Sequence, residues 1–228
     1  MNATATTPER FTPTPRTTLK RLAARGRYER EVARAILDEG LYCHVAFVAD
    51  GCPVVIPTAY ARMGDAIYLH GSPSNRMLRA LVSGEPCCIT VTLVDGLVLA
   101  RSAFHHSMNY RSVVLFGSGE KVTDPAEHER ALAAVVEHIV PGRAAHVRSP
   151  SRKEVLGTLV VRFPIEECSV KERMGGPIDD EEDHGLATWA GTIPLALVPG
   201  APVDDPLVPP GAPVPEHASA YRRPVARG

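Results

Sequence analysis

The sequence has no hydrophobic run long enough to cross a bilayer, and it has almost no net charge. Its 228 residues carry a formal charge of −1 at pH 7, so there is no basic field that would hold nucleic acid or an anionic membrane surface. The N-terminal stretch MNATATTPERFTPTPRTT lacks the apolar core of a secretory signal. We therefore expect a cytoplasmic protein without nucleic-acid or membrane partners.

No two cysteines have the C-x-x-C spacing that is typical of redox and zinc sites. The chain has five cysteines, an odd number, and two of them are adjacent within an apolar run. This usage predicts buried, reduced thiols and no disulfide framework. The five residues are Cys43, Cys52, Cys87, Cys88 and Cys168.

Several catalytic motifs are also missing. Neither G-x-G-x-x-G nor G-x-x-x-x-G-K-[ST] occurs, so the common glycine-rich nucleotide loops are absent. No G-x-S-x-G elbow is present, and a Ser/His/Asp hydrolase triad cannot be assigned. Any cofactor site must therefore be built from other elements.

The middle of the chain is rich in β-branched and aromatic segments separated by turn signals, which is typical of hairpin-connected antiparallel strands. Six or seven short strands with two or three helices predict a mainly β, α+β fold. A small barrel or sandwich would protect the strand edges. The predicted strands are 41–50, 53–63, 66–70, two strands within 86–103 joined at Asp95-Gly96, 110–124, and one or two within 154–173.

Three segments have helical patterns. Apolar residues recur at helical spacing in the second half of 19–40, and a basic amphipathic segment covers 73–83. In 124–140, Asp124 is a good N-cap and Pro125 a good first helical residue. These helices would lie between the strands.

Both ends of the chain differ in composition from the middle. Residues 1–18 are rich in Thr and Pro, which predicts a disordered arm. Residues 175–228 are rich in Pro, Gly and acidic residues and predict an extended tail that docks through TWAGTIPLAL. One domain would therefore occupy 19–174.

The junction HGSPSNR, at 70–76, combines a strand end with a helix start. Ser72 is a good N-cap and Pro73 a good first helical residue, so the helix N-terminus would present free N–H groups. Ser74, Asn75 and Arg76 add side-chain donors that match a phosphate. The sequence predicts either a phosphate cradle or an ordinary capped helix with a surface arginine.

A second polar group lies in RSAFHHSMNYRSVVLFG, at 101–117. The side chains of His105 and His106 point in different directions because the residues are adjacent, which argues against one shared metal. Tyr110 is suited to flank a planar ring and Arg111 to meet an anion. The alternatives are a polar loop at a barrel mouth or subunit interface, and a solvated loop.

Two stretches, VVIPTAYARMGDAIYLHGSPSNRMLRAL and CCITVTLVDGLVLARSAFHHSMNYRSVVLFGSGEKV, resemble a known family. They are similar to the pyridoxamine 5'-phosphate oxidase-like, FMN-binding split-barrel proteins, in the flavin-nucleotide-binding branch that includes the nitroimidazole-resistance proteins. The likeness runs from about Arg25 to about Arg173, and WAGTIPL in the tail shares it. It implies a six-stranded antiparallel Greek-key split barrel that forms a homodimer.

The resemblance also implies a flavin site. The isoalloxazine would lie along the strand at 55–60, the phosphate would be held at the 70–76 junction, and the segment 109–112 would line the same groove. His70 and His106 would be the catalytic residues, by protonating a reduced substrate. The implied cofactor-binding residues are Val55, Ile56, Pro57, Thr58, Ala59, Tyr60, His70, Ser72, Ser74, Asn75, Arg76, Asn109, Tyr110, Arg111 and Ser112.

The function that this resemblance implies is a flavin-dependent oxidoreductase acting on a small molecule, with aromatic and nitro compounds as candidates. FMN is the expected cofactor, and FAD, F420 and haem are alternatives within the superfamily. The chain lacks the additional basic residues that pyridoxamine-phosphate oxidases use for the substrate phosphate, so vitamin B6 oxidation is not expected. The alternative function is a carrier that binds a flavin or haem without turnover.

Overall fold

A computed structural model describes residues 9–223, and the chain divides into two compact units. The first unit contains 9–40, 90–115 and 167–197, and the second contains 41–89, 116–166 and 198–223. The strands pair antiparallel and five α-helices accompany them, which confirms the α+β prediction.

The strands are β1 (Gly26–Arg27), β2 (Tyr42–Ala49), β3 (Cys52–Ala59), β4 (Ala61–Met63), β5 (Ala66–Gly71), β6 (Cys87–Leu99), β7 (Ser107–Gly117), β8 (Glu120–Lys121), β9 (Leu159–Pro164), β10 (Glu167–Arg173) and β11 (Gly191–Pro194). The α-helices are α1 (Arg30–Glu39), α2 (Arg76–Leu81), α3 (Pro125–Ile139), α4 (Arg152–Leu156) and α5 (Glu216–Ser219). Short 3₁₀ helices occupy Ala23–Arg25, Ala103–His105, Ala144–His146 and Glu181–Gly185.

In the first unit, β1, β10, β7 and β6 are successive neighbours and β11 pairs with β6. α1 buries Ala33, Ile36 and Leu37, the apolar positions that its helical spacing predicts. The helix ends at Glu39, and the N–H of the C-cap residue Gly40 donates to the Ile36 carbonyl. This unit contains the segment 109–112 of the predicted flavin site.

The prediction of two strands joined at Asp95-Gly96 is wrong, because β6 runs unbroken through both residues. Gly96 pairs with Pro194 of β11, and a Cβ on Gly96 would lie 2.9 Å from the carbonyl oxygen of Ile193. The glycine therefore permits close approach of the tail strand rather than a turn.

Residues 1–8 of the predicted disordered arm lie outside the described residues. Residues 9–18 lie against the first unit, where Phe11 and Thr17 are buried. The guanidinium carbon of Arg30 lies 4.4 Å from the Phe11 ring centroid, within the range of a cation–π contact. Arg16 also forms an ion pair with Glu167. An aromatic anchor and several ion pairs thus order a segment whose composition is polar.

In the second unit, β2 and β3 form a hairpin, and β4, β5, β9 and β8 form a four-stranded sheet in that order. Asp50 and Gly51 have φ values of 52° and 73°, the positive pair that a type I′ hairpin turn requires. The predicted strand 53–63 is divided at Tyr60 into β3 and β4. In α3, the Asp124 carboxylate accepts from the Glu127 N–H at 2.8 Å, which confirms the predicted cap.

The tail enters both units. In the first unit β11 pairs with β6 over four residues. In the second, the Tyr221 hydroxyl donates to the Ile139 carbonyl at 2.9 Å, and Arg223 donates to the His138 carbonyl. The short helix α5 precedes these contacts, so this proline-rich segment is ordered by a few hydrogen bonds.

The cysteines are free thiols, as expected, but they are not all buried. Burial raises the pKa values of Cys43 and Cys168 to about 12, so both thiols are inert near neutral pH. Cys52 is exposed because it is the first residue of β3, beside the hairpin turn. The prediction that it is buried is therefore wrong.

None of the helices between residues 9 and 223 has the length and apolar character that a membrane span needs.

Candidate functional site

The turn at 72–76 begins the helix later than the sequence indicates. Asn75, not Ser72, is the N-cap of α2: its side-chain oxygen accepts from the N–H groups of Met77 and Leu78 at 2.9 and 3.3 Å. Ser72 and Ser74 instead bond to each other through their hydroxyls at 2.8 Å. The prediction of a Ser72 cap is wrong because two cap-type residues compete here, and the tertiary structure selects the later one.

The turn keeps several donors available. Ser72, Ser74 and Arg76 are exposed. The side chain of Arg76 makes no hydrogen bond or ion pair within residues 9–223, so its planar guanidinium is free to meet an anion. Asn75 uses only its oxygen for capping, which leaves its amide N–H₂ as a further donor.

One face of the β2–β3 hairpin is apolar and exposed. Tyr42, Val48 and Val55 are 56%, 66% and 59% exposed. The strand register places Ala46 opposite Val55, and even-numbered residues of β2 share this face with odd-numbered residues of β3. An exposed patch of this kind typically marks a binding surface. We call it the exposed β2–β3 face.

The backbone of β3 has one open edge. Among the described residues β3 pairs only with β2. Pro53 and Pro57 have no N–H, so the ladder bonds to β2 come from the alternate residues. The N–H of Val55 and the carbonyls of these three residues therefore point to the open edge. Such groups suit the polar rim of a planar ligand.

Tyr60 differs from the rest of the predicted strand site. It is fully buried, and its ring lies 4.6 Å from the ring of His138 on α3. Ile56 and Thr58 lie on the face of β3 opposite Val55 and are half-buried. The exposed members of the predicted strand are therefore Val55 and Pro57, and Ala59 is half-buried.

His70, at the end of β5, lines a cavity of about 660 Å³ within the second unit. Burial lowers the pKa of its imidazole below the usual value, so the ring is neutral at pH 7. Its Nδ1 is buried without a hydrogen-bond partner among residues 9–223. The cavity, which we call the His70 cavity, is completed by Glu129, Leu132, Ala133, Val136, Ala144, Val147, Arg148, Ser149, Pro150, Glu154 and Thr158.

These cavity walls come from α3 and the segment that follows it, and no motif in the sequence indicates them. Leu132 and Val136 are one helical turn apart, which the sequence shows only as a core-facing pattern. At the rim, Arg148 pairs with Glu154 at 2.6 Å, and Ser151 and Glu154 form a capping box. The cavity could be found only once the elements were assembled.

The predicted site residues at 109–112 belong to the first unit and are largely engaged there. The amide of Asn109 donates to the Gly175 carbonyl at 3.1 Å, and its oxygen accepts from Arg173. The Ser112 hydroxyl donates to the Lys171 carbonyl at 3.2 Å. Tyr110 is half-buried.

Arg111 is held by two carboxylates. It donates to Glu39 at 2.6 and 2.8 Å and to Asp95 at 2.7 and 2.9 Å. These bonds raise the pKa of Arg111 further above its ordinary value. With both forks of the guanidinium occupied, we assign Arg111 to the stability of the first unit rather than to anion binding.

The two adjacent histidines have separate partners. His105 lies 3.0 Å from Asp180, and His106 donates from Nδ1 to the Ser102 carbonyl at 2.9 Å. His106 is exposed, so its Nε2 is free for proton transfer. Within the described part of the chain, no cluster of three or more His, Cys, Asp or Glu residues could hold a metal ion.

Taken by unit, the arrangement can do two kinds of chemistry. In the second unit, a neutral histidine lines a partly open cavity, and an exposed turn offers donors to an anion. Neutral imidazole can coordinate a metal centre or exchange protons. In the first unit, the predicted site residues Asn109, Arg111 and Ser112 are mainly engaged in hydrogen bonds within that unit.

Comparison with known proteins identifies the family and the fold. The family described as pyridoxamine 5'-phosphate oxidase matches residues 29–172. The structure of the flavocytochrome Anf3 from Azotobacter vinelandii is 40% identical, with a TM-score of 0.87, over 93% of this chain and 99% of that one. The FAD and heme binding protein from Mycobacterium smegmatis is 38% identical, with a TM-score of 0.82, over 86% and 96% of the two chains.

A more distant structure is that of a protein from Bacteroides thetaiotaomicron assigned to 5-nitroimidazole antibiotic resistance. It is 25% identical, with a TM-score of 0.50, over 62% of this chain and 82% of that one. No curated protein matches the chain. Together the family match and the two similar structures confirm the resemblance and the split-barrel α+β fold: the chain belongs to the pyridoxamine 5'-phosphate oxidase-like family of flavin-binding proteins.

Proposed function

We propose that this chain is a flavin- and haem-binding redox protein. The main supporting observation is the His70 cavity, which is partly open and lined by a half-buried histidine whose buried Nδ1 has no hydrogen-bond partner among residues 9–223. Two similar structures, a flavocytochrome and an FAD and heme binding protein, support the pairing of the two cofactors. FMN, FAD and haem are the cofactors that we assign as candidates.

The His70 cavity fits a haem in size and chemistry. Its volume of about 660 Å³ lies within the range of small-molecule sites, roughly 300–1,000 Å³. Histidine is a common axial ligand of haem iron, and only the neutral ring has a free lone pair. Because burial already lowers the pKa of His70, ligation has no proton to displace at pH 7. Leu132, Val136 and Val147 supply apolar walls.

The 72–76 turn and β3 fit a flavin. We assign Arg76 and the hydroxyls of Ser72 and Ser74 to the flavin phosphate, because they are exposed, the guanidinium of Arg76 is unused, and one of the two mutually bonded hydroxyls keeps its O–H available. We assign the Val55 N–H and its neighbouring carbonyls to the polar edge of the ring system. The apolar side chains of the exposed β2–β3 face would cover part of the ring.

A bound flavin supplies two-electron and one-electron chemistry, and a bound haem supplies one-electron chemistry. The residues of the protein would hold these cofactors and control charge and protons around them. Arg76 would hold negative charge at the phosphate end, and partial burial lowers the pKa of His70, so that it presents a neutral imidazole to the cavity. His106, exposed and with a free Nε2, is available to move a proton.

The substrate stays a prediction: a small molecule, with aromatic and nitro compounds as candidates. The alternative function is a carrier that binds the same cofactors without turnover. Steady-state consumption of NAD(P)H with an electron acceptor would favour the oxidoreductase. A loaded protein whose cofactors never change oxidation state would favour the carrier.

The assignment of His70 is tested by reconstitution with hemin. We expect the wild-type chain to give the sharpened Soret band of histidine-ligated haem. His70→Ala should weaken hemin binding at least about tenfold and shift that band. His44→Ala is the matched control, because His44 is a half-buried histidine of β2 that does not line the cavity. Equal spectra for wild type and His70→Ala would reject the haem site.

A further inference from the structure

The first unit contains a pocket lined by three arginines and one glutamate. Its volume is about 240 Å³, and Arg25, Arg27, Arg173 and Glu172 line it together with three apolar residues. We call it the arginine pocket. The flavin and haem assignments above use none of these residues.

Arg173, at the end of β10, is the buried member of the pocket. Its relative exposure is only 5%. Its guanidinium donates to neutral acceptors: the side-chain oxygen of Asn109, the Gly175 carbonyl at 3.0 Å and the Gly176 carbonyl at 2.9 Å. Its Nε has no partner among residues 9–223. A buried cation therefore lies here with no carboxylate bonded to it.

The nearby charges do not compensate Arg173. Arg25 is half-buried, and its side chain makes no hydrogen bond or ion pair within the described part of the chain. Arg27 pairs with Glu172 at 3.3 Å, so these two charges cancel. Burial and the charge of Arg25 both lower the pKa of Arg173. The pocket thus holds two positive charges without a counter-ion.

We propose that the arginine pocket binds the phosphoryl or pyrophosphate group of a nucleotide. A buried, uncompensated cation is costly, and an anion between Arg25 and Arg173 removes that cost. Guanidinium groups match phosphate geometry with paired N–H donors. At about 240 Å³ the pocket is smaller than the roughly 300–1,000 Å³ of a whole ligand site, so the base and sugar would lie outside it.

Two sources of this group are compatible with the chemistry: the pyrophosphate of a flavin dinucleotide, which would then bind here instead of at the 72–76 turn, and that of a nicotinamide dinucleotide electron donor. Loading the full chain with FAD distinguishes them. If FAD supplies the group, the loaded protein will no longer bind added pyrophosphate. If a separate nucleotide supplies it, the loaded protein will bind pyrophosphate and ADP as the unloaded chain does.

The test is a calorimetric titration of the full chain with sodium pyrophosphate and with ADP. We expect wild type to bind at least one of them with a Kd of about 1 mM or tighter, and Arg25→Gln to raise that Kd at least about tenfold. Arg21→Gln is the matched control, because it removes the same charge from an exposed arginine of the same segment that does not line the pocket. Its Kd should stay within about twofold of wild type.

Two outcomes would overturn the proposal. The first is that wild type, loaded or unloaded, binds neither probe. The second is that Arg25→Gln and Arg21→Gln weaken binding equally, which would indicate a nonspecific charge effect. Arg25 is chosen for the test because its side chain makes no hydrogen bond or ion pair with the described residues, whereas replacing buried Arg173 would disturb Asn109 and the chain after β10.

Discussion

Three arginines of this chain show that the partners of a residue, not its type, decide its role. Arg111 donates to two carboxylates, and all three of its guanidinium nitrogens take part in these bonds. Arg173 is buried among neutral acceptors, and Arg76 is exposed with no partner among residues 9–223. The sequence could suggest all three as anion ligands. Only the contacts separate the structural arginine from the two that are available to a ligand.

The proposal for Arg76 gives a prediction at this scale. Arg76→Ala should raise the Kd for FMN and FAD about tenfold, because one charge-assisted hydrogen bond contributes roughly 1.5–3 kcal/mol. Arg76 makes no bond within the described fold, so the thermal unfolding temperature of the flavin-free protein should not change. Quenching of flavin fluorescence during titration measures the affinity.

Arg79→Ala is the control for that experiment. Arg79 is also exposed on α2, one turn further from the 72–76 turn, and its loss removes the same charge from the helix. Its flavin affinity should stay close to that of wild type. The phosphate assignment fails if the two variants bind flavin equally well.

At the residue level, the sequence can single out a position only where the signal is local. His70 could be singled out because it precedes a turn rich in donors, and the structure places it in a cavity wall. The partners of Arg111 could not be predicted, because Glu39 lies on α1 and Asp95 on β6. The arginine pocket likewise joins Arg25 and Arg173, which only strand pairing brings together.

At the scale of elements, local signals identified helices better than they did strand ends. α3 follows from its Asp124 cap and apolar spacing, and the β2–β3 turn from its Asp-Gly pair. The same Asp-Gly signal wrongly predicted a turn at Gly96, where the glycine instead allows the backbone of β11 to approach closely. A dipeptide cannot indicate whether a glycine is needed for a turn or for the approach of another backbone.

The C-terminal segment docks on the second unit through a pair of histidines. The rings of His146 and His217 lie 4.6 Å apart, and Arg143 donates to Nε2 of His217 at 3.3 Å. That nitrogen can accept only while His217 is neutral. Desolvation and the nearby charges of His146 and Arg143 lower the pKa of His217, while Glu137 opposes them. Protonation of His217 would replace its hydrogen bond from Arg143 with repulsion between two positive groups.

This geometry predicts that acid weakens the docking of the C-terminal segment. Because the pKa of His217 is lower in the docked state than in the free tail, docking is favoured above about pH 6.5 and weakens as the pH falls below it. We expect amide exchange in 216–223, corrected for the intrinsic pH dependence, to be faster at pH 5.5 than at pH 7.5. His217→Gln should remove this difference, and a difference that persists in it would contradict the mechanism.

At the scale of the whole molecule, the fold class followed from strand count and turn chemistry, whereas the split barrel followed from the resemblance. Composition and periodicity could not choose between a barrel and a sandwich, because both alternate apolar and polar residues along strands. The family match over residues 29–172 and the two similar structures identify the fold as the split barrel. The cofactor could not be predicted in the same way, since related chains bind different groups.

The exposed β2–β3 face also bears on the oligomeric state. We propose that the exposed β2–β3 face is covered by a second copy of the chain, since the family resemblance implies a homodimer and the face exposes Tyr42, Val48 and Val55. Light scattering of the purified protein should give twice the chain mass of 24.5 kDa. Val55→Asp should give the monomer, because a carboxylate would be buried without a partner at the interface.

The control is Leu207→Asp, which makes the same change at a leucine of the tail that is 90% exposed and lies off this face. It should remain dimeric. Far-UV circular dichroism of all three proteins would establish that Val55→Asp is folded, as its exposed position predicts. A wild-type monomer, or a Val55→Asp variant as dimeric as Leu207→Asp, would mean that the face is not the interface between copies, and its apolar residues would then have to be covered by the flavin alone.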